Sequence, residues 1–273
     1  MAAKRVAVVT GGNKGVGFGI VRALCKQFQG DVILTARNVD LGKKAVSDLN
    51  AENLKPEFHQ LDICDMSSIE ALKQHLQSTY GGLDLLVNNA GIAYKAASTA
   101  PFSEQAEVTT RTNFTATLDV SNVLFPLLRP HSRVVHVSSM VSQWTGKKCS
   151  EALKARFLDP TLTIDELKQI MQNFVDAAKS GKLSESGFPD SAYGMSKVGV
   201  TVMAFIQQRE LNSKDDIVVN ACCPGFVITD MSSRNGSKTI DEGAETPVLC
   251  ALLPEGTDIR GKFLSEKAVQ PWP

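Results

Sequence analysis

The chain has 273 residues, 43% hydrophobic and 21% charged, and its 29 Lys and Arg balance 29 Asp and Glu to a formal net charge of zero. That composition excludes an intrinsically disordered chain, and its neutrality argues against nucleic acid or an anionic membrane as a partner. The six cysteines are scattered without a CxxC pair, which argues against a disulfide framework, a zinc ribbon or any other metal site, and no run of eighteen apolar residues suggests a membrane span.

The amino-terminal stretch holds only four apolar residues in a row, Val6 to Val9, too few for the core of a secretory leader, so a cytoplasmic location is expected. From there, short β-branched runs recur: RVAVVT, DVILTA (31–36), EFHQL (57–61), LDLLVN (83–88), RVVHVS (133–138) and IVVNACC (217–223). Their near-continuous apolarity suits strands covered on both faces. Helical spacing lies between them, as in Val16, Ile20, Val21 and Leu24 or Ile69, Leu72 and Leu76. The alternation predicts a single α/β domain over 1–273, a Rossmann-type doubly wound parallel sheet of about seven strands. Residues 140–190 break the rhythm with a helical pattern of their own at Ile164, Leu167, Ile170, Met171, Phe174 and Val175, and read as an insertion at a strand's carboxyl end, where ligands bind.

The first strand ends in Thr10-Gly11-Gly12-Asn13-Lys14-Gly15-Val16-Gly17 and opens a helix. Glycines let the backbone approach a pyrophosphate, and free N–H groups at the helix start favour its charge, so this loop is a candidate dinucleotide site. Where NAD-binding units carry an acid after the second strand, this chain has Arg37. A guanidinium can bond a 2′-phosphate bidentately, and Lys14 offers a second cation, which together predict NADPH over NADH. Asp62 follows the third strand and can accept from an adenine amino group with Ile63 packed beside it, or it can simply end the strand in a turn. Asn88-Asn89-Ala90-Gly91 closes the fourth strand, where amides can bridge strands and small residues leave room for a cofactor.

Ser138 and Ser139 end the fifth strand, placed to donate to a carbonyl oxygen or its developing alkoxide. Ser191 is a candidate cap for a long helix that starts with Tyr193-Gly194-Met195-Ser196-Lys197, whose i, i+4 spacing puts Tyr193 and Lys197 on one face. A neighbouring ammonium favours phenolate and would bring the Tyr pKa down toward working pH, making it a usable proton donor. The segment GMSKVG is not a nucleophile elbow, since its second Gly falls one residue late on a helix, and the four histidines lack ligand spacing. Cys222 and Cys223 adjoin the expected site and read as buried, inert thiols.

TGxxxGxG, NNAG, the strand-end Ser, YxxxK and PG…T appear in the order characteristic of the short-chain dehydrogenase/reductase family, which the whole chain resembles. Within it, TGGNKGVG, GDVILTAR, FHQLDI, GGLDLLVNNAGIAYK, SAYG, NACCPG and EGAETPV are similar to its NADPH-dependent carbonyl reductase branch. The resemblance implies reduction of ketones, aldehydes and quinones, with Tyr193 as general acid and Ser139 polarising the carbonyl. It implies that Lys197 lowers the Tyr193 pKa and holds the nicotinamide ribose, and that the backbone carbonyl of Asn113 holds a water leading protons toward Lys197. An Asn bonding its own helix backbone is the other reading of that position. Val227 and Thr229 match the segment that contacts the carboxamide and phosphates, and Tyr94, Lys95 and Gln105 match a glutathione-binding surface. The 54 positions from Ser139 to Tyr193 exceed the gap in compact oligomeric members, so the resemblance implies a monomer. A steroid or prostaglandin hydroxy dehydrogenase would use the same residues, and an idle NADPH sensor or scaffold would need only the cofactor loop.

Overall fold

Strands without polar alternation need cover on both faces, and the computed structural model gives them that cover. It describes residues 4–211 and 215–273; residues 1–3, the start of the stretch read for a leader, and 212–214 lie outside the described residues. The order along the chain is β1 (Val6–Val9), α1 (Gly15–Gln27), β2 (Asp31–Ala36), α2 (Val39–Ala51), β3 (Glu57–Gln60), α3 (Met66–Thr79), β4 (Leu83–Asn88), α4 (Phe102–Thr109), a π-helical segment (Thr110–Thr115), α5 (Ala116–Leu124) and β5 (Leu128–Val137). Then follow α6 (Met140–Lys148), α7 (Glu151–Leu158), α8 (Ile164–Ser180), α9 (Ala192–Leu211), β6 (Val218–Cys222), α10 (Ile240–Ala251), β7 (Phe263–Ser265) and β8 (Ala268–Gln270).

The strands form one sheet in the order β3-β2-β1-β4-β5-β6-β7-β8, parallel up to β7. Alternate residues feed opposite layers. Ala7, Val9, Val32, Leu34 and Cys222 pack under α1, α2 and α10, while Val6, Val8, Ile33, Val219 and Cys223 pack under α3, α5 and α9. A third apolar cluster joins α8, through Leu167, Met171, Phe174 and Val175, to Ala106 of α4 and to Met195, Val198 and Val202 of α9. The segment expected at 140–190 thus holds α6, α7 and α8, and its own core lies against α4 and α9. Among the described residues no helix is long and apolar enough to cross a membrane.

Two features depart from the sequence expectation. The sheet has eight strands instead of about seven, because β8 folds back antiparallel on β7 through Glu266 and Lys267, both with positive φ (50° and 61°). Such a turn ordinarily calls for Asn or Gly. Here the side chains hold it instead: Glu266 binds Lys238 at 2.6 Å, Lys267 binds Glu245 at 2.8 Å, and the Lys267 N–H donates to Thr246. The fifth strand also begins early, at Leu128, and bulges at Pro130 and His131 (φ 65°) before resuming parallel register at Arg133.

His136 ties three elements together behind the site. The Asn88 amide donates to its Nδ1 (3.3 Å), and its Nε2 donates to Gln207 Oε1 on α9 (2.8 Å). Complete burial brings its pKa down to about 4. The unfolded chain therefore binds a proton between about pH 6.5 and 4 that the native protein refuses, so stability is lost as pH falls through that window. The loss approaches about 3 kcal/mol. Urea unfolding between pH 7.5 and 4.5 is expected to show this component in the wild type and to lack it in His136→Gln.

Candidate active site

The doubly wound order reverses between β1 and β4, and the loops that leave these strands are joined by side chains that both strands supply. The Thr10 hydroxyl accepts the N–H groups of Asn89 and Ala90 (both 2.9 Å), and the Asn89 amide donates to the carbonyls of Thr10 (2.9 Å) and Gly11 (3.2 Å). The resulting crossing is tight: a Cβ on Gly17 would lie 2.3 Å from the Gly11 carbonyl oxygen and 2.5 Å from Asn89 Nδ2. Only glycine fits there, which brings the start of α1 against the loop that ends β1. No side chain caps α1 and no acid lies in its first turn, so its leading N–H groups face outward beside Asn13 and Val16. This cradle of bare backbone donors with a positive helix end fits a dinucleotide pyrophosphate.

Lys14 and Arg37 leave neighbouring parallel strands at the same end of the sheet. Arg37 is exposed and makes no ion pair among the described residues, whereas Lys14 Nζ pairs with Asp230 Oδ2 at 3.2 Å. Asp62 is already half engaged, since one carboxylate oxygen accepts the Cys64 N–H at 2.9 Å in a turn. Its neighbour Ile63 is buried in the core.

At the end of β5 the two serines separate in role. Ser138 is buried, its hydroxyl 2.6 Å from Thr201 Oγ1 and 3.1 Å from the Lys197 carbonyl, which fixes β5 to α9. Ser139 caps α6 by accepting the Val141 N–H at 3.1 Å, which leaves its own proton to donate, and it faces the Tyr193 hydroxyl. The approach of α6 to α9 depends on Gly194, where a Cβ would fall 2.1 Å from Thr145 Oγ1. Ser191 caps the start of α9 as expected, accepting the Gly194 N–H at 3.1 Å.

Tyr193 and Lys197 share a face of α9, the Lys nitrogen 5.7 Å from the Tyr ring centre. Burial pushes the Tyr193 pKa up to about 12, helped by Cys223 and opposed by the Ser139 hydrogen bond. Burial draws Lys197 down to about 8 against the influence of Cys223 and Cys222. The expected lowering of the Tyr193 pKa by Lys197 is therefore absent from this arrangement. Lys197 Nζ instead donates to the Val137 carbonyl at 2.8 Å, and burial is the largest influence on the phenol. The outcome is a phenol firmly loaded with its proton.

Asn113 stands in the π-helical turn, a distortion that often accompanies function. Its side chain does not bond its own helix. It accepts the Ile92 N–H (2.8 Å) and donates to the Ile92 carbonyl (2.9 Å) and to Ser196 Oγ (2.9 Å), which in turn donates to the Tyr193 carbonyl (2.8 Å). Asn113 thus fastens the loop after β4 to the start of α9. Sequence reasoning had not singled out Thr10, Ser196 or the π distortion; Thr10 lies inside the glycine motif, but only the fold reveals its two acceptor bonds.

The segment after β6 completes the cleft. Val227 packs against α10 at Gly243, and Thr229 lies beside Gly15, where an added Cβ would meet its methyl at 3.2 Å. Phe226, Ile228 and Met231 on this segment are exposed, as is Trp144 on α6. Tyr94 and Lys95 line a cavity of about 600 Å³ formed by residues between Ile92 and Ser98. Tyr94 donates to Glu104 at 3.0 Å, Lys95 donates to the Asp230 carbonyl and to Ser233 Oγ (3.2 Å), and Gln105 on α4 donates to the Ala100 carbonyl (2.9 Å). Cys222 and Cys223 are both buried, on opposite faces of the sheet, and burial raises the Cys222 thiol further.

The sequence signature of the family described as short chain dehydrogenase matches residues 5–151. Over 271 residues, covering 98% of both chains, the protein is 54% identical to carbonyl reductase [NADPH] 1 of Bos taurus and 52% identical to that of Homo sapiens. Its fold superposes on salutaridine reductase from Papaver somniferum with a TM-score of 0.85 at 30% identity, covering 95% of this chain and 99% of the other.

Replacing Thr10 by Val removes the acceptor for two N–H groups at the crossing. It is expected to lower the unfolding free energy by about 2 kcal/mol, read by urea denaturation; a loss below about 0.5 kcal/mol would show that the crossing does not depend on this hydroxyl.

Proposed function

The chain belongs to the short-chain dehydrogenase family, and from that membership we propose that it reduces ketones, aldehydes and quinones to alcohols and hydroquinones with NADPH. The observation that carries the reading is the convergence of the Ser139 and Tyr193 hydroxyls, with Lys197 one helical turn on, beside the glycine cradle.

When bound, NADPH supplies the hydride that goes to the carbonyl carbon. The loop from Gly11 to Gly17 and the start of α1 would hold its pyrophosphate, Arg37 and Lys14 its 2′-phosphate, and Asp62 and Ile63 its adenine. Asn89 braces the loop, and Val227 and Thr229 close the opposite side. Ser139, with its lone pair engaged by Val141, donates to the substrate oxygen and fixes its direction. Tyr193 then transfers its proton to that oxygen as negative charge develops there. A phenol with a raised pKa holds this proton at neutral pH, and an alkoxide is basic enough to take it. Lys197 would hold the nicotinamide ribose, and Asn113 positions the backbone around Tyr193 and Lys197. Phe226, Ile228, Met231 and Trp144 favour apolar carbonyl compounds.

We read 1–273 as one dinucleotide-binding domain, with 140–190 inserted in it, that acts as a monomer. The third apolar cluster supports this, because α8 covers the faces of α4 and α9. Six free thiols support a reducing, cytoplasmic setting. The cavity beside Tyr94 and Lys95 would take glutathione or its adducts.

Tyr193→Phe is expected to retain NADPH affinity, measured by calorimetry, and to lose about 10²- to 10⁴-fold in turnover of menadione. Unchanged turnover would remove Tyr193 from the mechanism, and turnover by the wild type separates an enzyme from a sensor. Because Lys197 loses its charge near pH 8, kcat/KM for NADPH should fall as pH rises through that value. A profile flat to pH 9.5 would contradict the role given to Lys197. Arg37→Asp should shift the kcat/KM ratio from NADPH toward NADH, and an unmoved ratio would refute the 2′-phosphate assignment.

A further inference from the structure

Lys14 is offered two anions. One is the cofactor's 2′-phosphate, assigned above; the other is Asp230, whose Oδ2 it meets at 3.2 Å. Asp230 also receives Arg234 at its other oxygen, Oδ1 (3.2 Å), and its backbone carbonyl accepts Lys95, which reaches on to Ser233. The segment around Asp230 is thereby fastened to the loop after β1 on one side and to the loop after β4 on the other. It lies directly on the phosphate cradle, since Thr229 touches the space above Gly15.

The pair is easily exchanged. Lys14 is 69% exposed and Asp230 55%, so the attraction is screened by water and salt, whereas a doubly charged phosphate beside Arg37 is the stronger partner. Together the three cations hold the Asp230 carboxyl below the usual carboxylate range, so it carries its full charge at neutral pH.

We propose that Asp230 is a determinant of cofactor selectivity: it competes with the 2′-phosphate of NADPH for Lys14 and so tempers the preference for NADPH over NADH. The inference rests on the NADPH reading and deepens it. Tight holding of NADPH in a cell also means tight holding of NADP⁺, which shares the same phosphate. A built-in rival for Lys14 weakens both and shortens the time the spent cofactor stays bound. NADH carries no 2′-phosphate, so it gains nothing from Lys14 and has nothing to lose to Asp230.

The test is calorimetric titration of the full chain with NADPH and with NADH. Asp230→Asn, nearly isosteric at an exposed position, should tighten NADPH about two- to fivefold, the range of an exposed pair, and leave NADH unchanged. In a Lys14→Met background the same substitution should give no gain for NADPH. Equal tightening of both cofactors, weaker NADPH binding, or a gain that survives without Lys14 would overturn the competition, because each points to a general field or a structural role for Asp230. If the wild type shows no preference for NADPH and Arg37→Asp changes nothing, the cofactor reading itself fails, and the competition fails with it.

Discussion

A doubly wound sheet needs a firm crossing where the chain reverses direction, and here that crossing hangs on the hydroxyl of Thr10. Two N–H groups from the loop after β4 end on it, and Asn89 returns two bonds to the loop after β1. Because these bonds draw the loops together, Gly17 must be bare, α1 starts where its free N–H groups face the cleft, and the Asn88 to Gly91 turn lies beside the start of α9. Lys14, Asn89, Tyr193 and Lys197 stand on these pieces, and Ser139 follows β5, which His136 ties to β4 and α9.

The tyrosine and lysine show how burial shapes chemistry that charge alone would predict differently. On an exposed helix face, a lysine four residues away would pull a phenol toward ionisation. Inside this cleft the lysine is itself short of solvent and gives its proton bond to a strand carbonyl, so both groups move toward their neutral forms. At neutral pH the phenol therefore carries its proton and the lysine can exist in either form.

Much of this was readable from residues alone, and the reasons differ by feature. The parallel sheet was legible because covered strands are apolar throughout, and the glycine loop because its spacing has few structural uses other than close approach. Ser139 could be told from Ser138 only by resemblance; the structure gives the physical distinction, one hydroxyl buried among Thr201 and the Lys197 carbonyl and the other capping α6 with its proton free. The final hairpin was invisible because Glu266 and Lys267 occupy positions where glycine is the usual signal, their conformation being fixed by partners 21 to 28 residues away. The π turn at Asn113 was equally hidden, since its pattern follows from tertiary bonds to Ile92 and Ser196 and has no local sequence mark.

The tail of the chain carries one more consequence. Trp272 donates to Ser142, which accepts from Thr201, the same hydroxyl that meets Ser138, and Gln143 donates to the Pro271 carbonyl. The back wall of the cleft is thus finished by residues made after every strand and helix that frames it. The helix that begins at Ser139 is thus held by contacts that reach 130 and 128 positions along the chain, farther than any bond that shapes the glycine loop's crossing with the loop after β4.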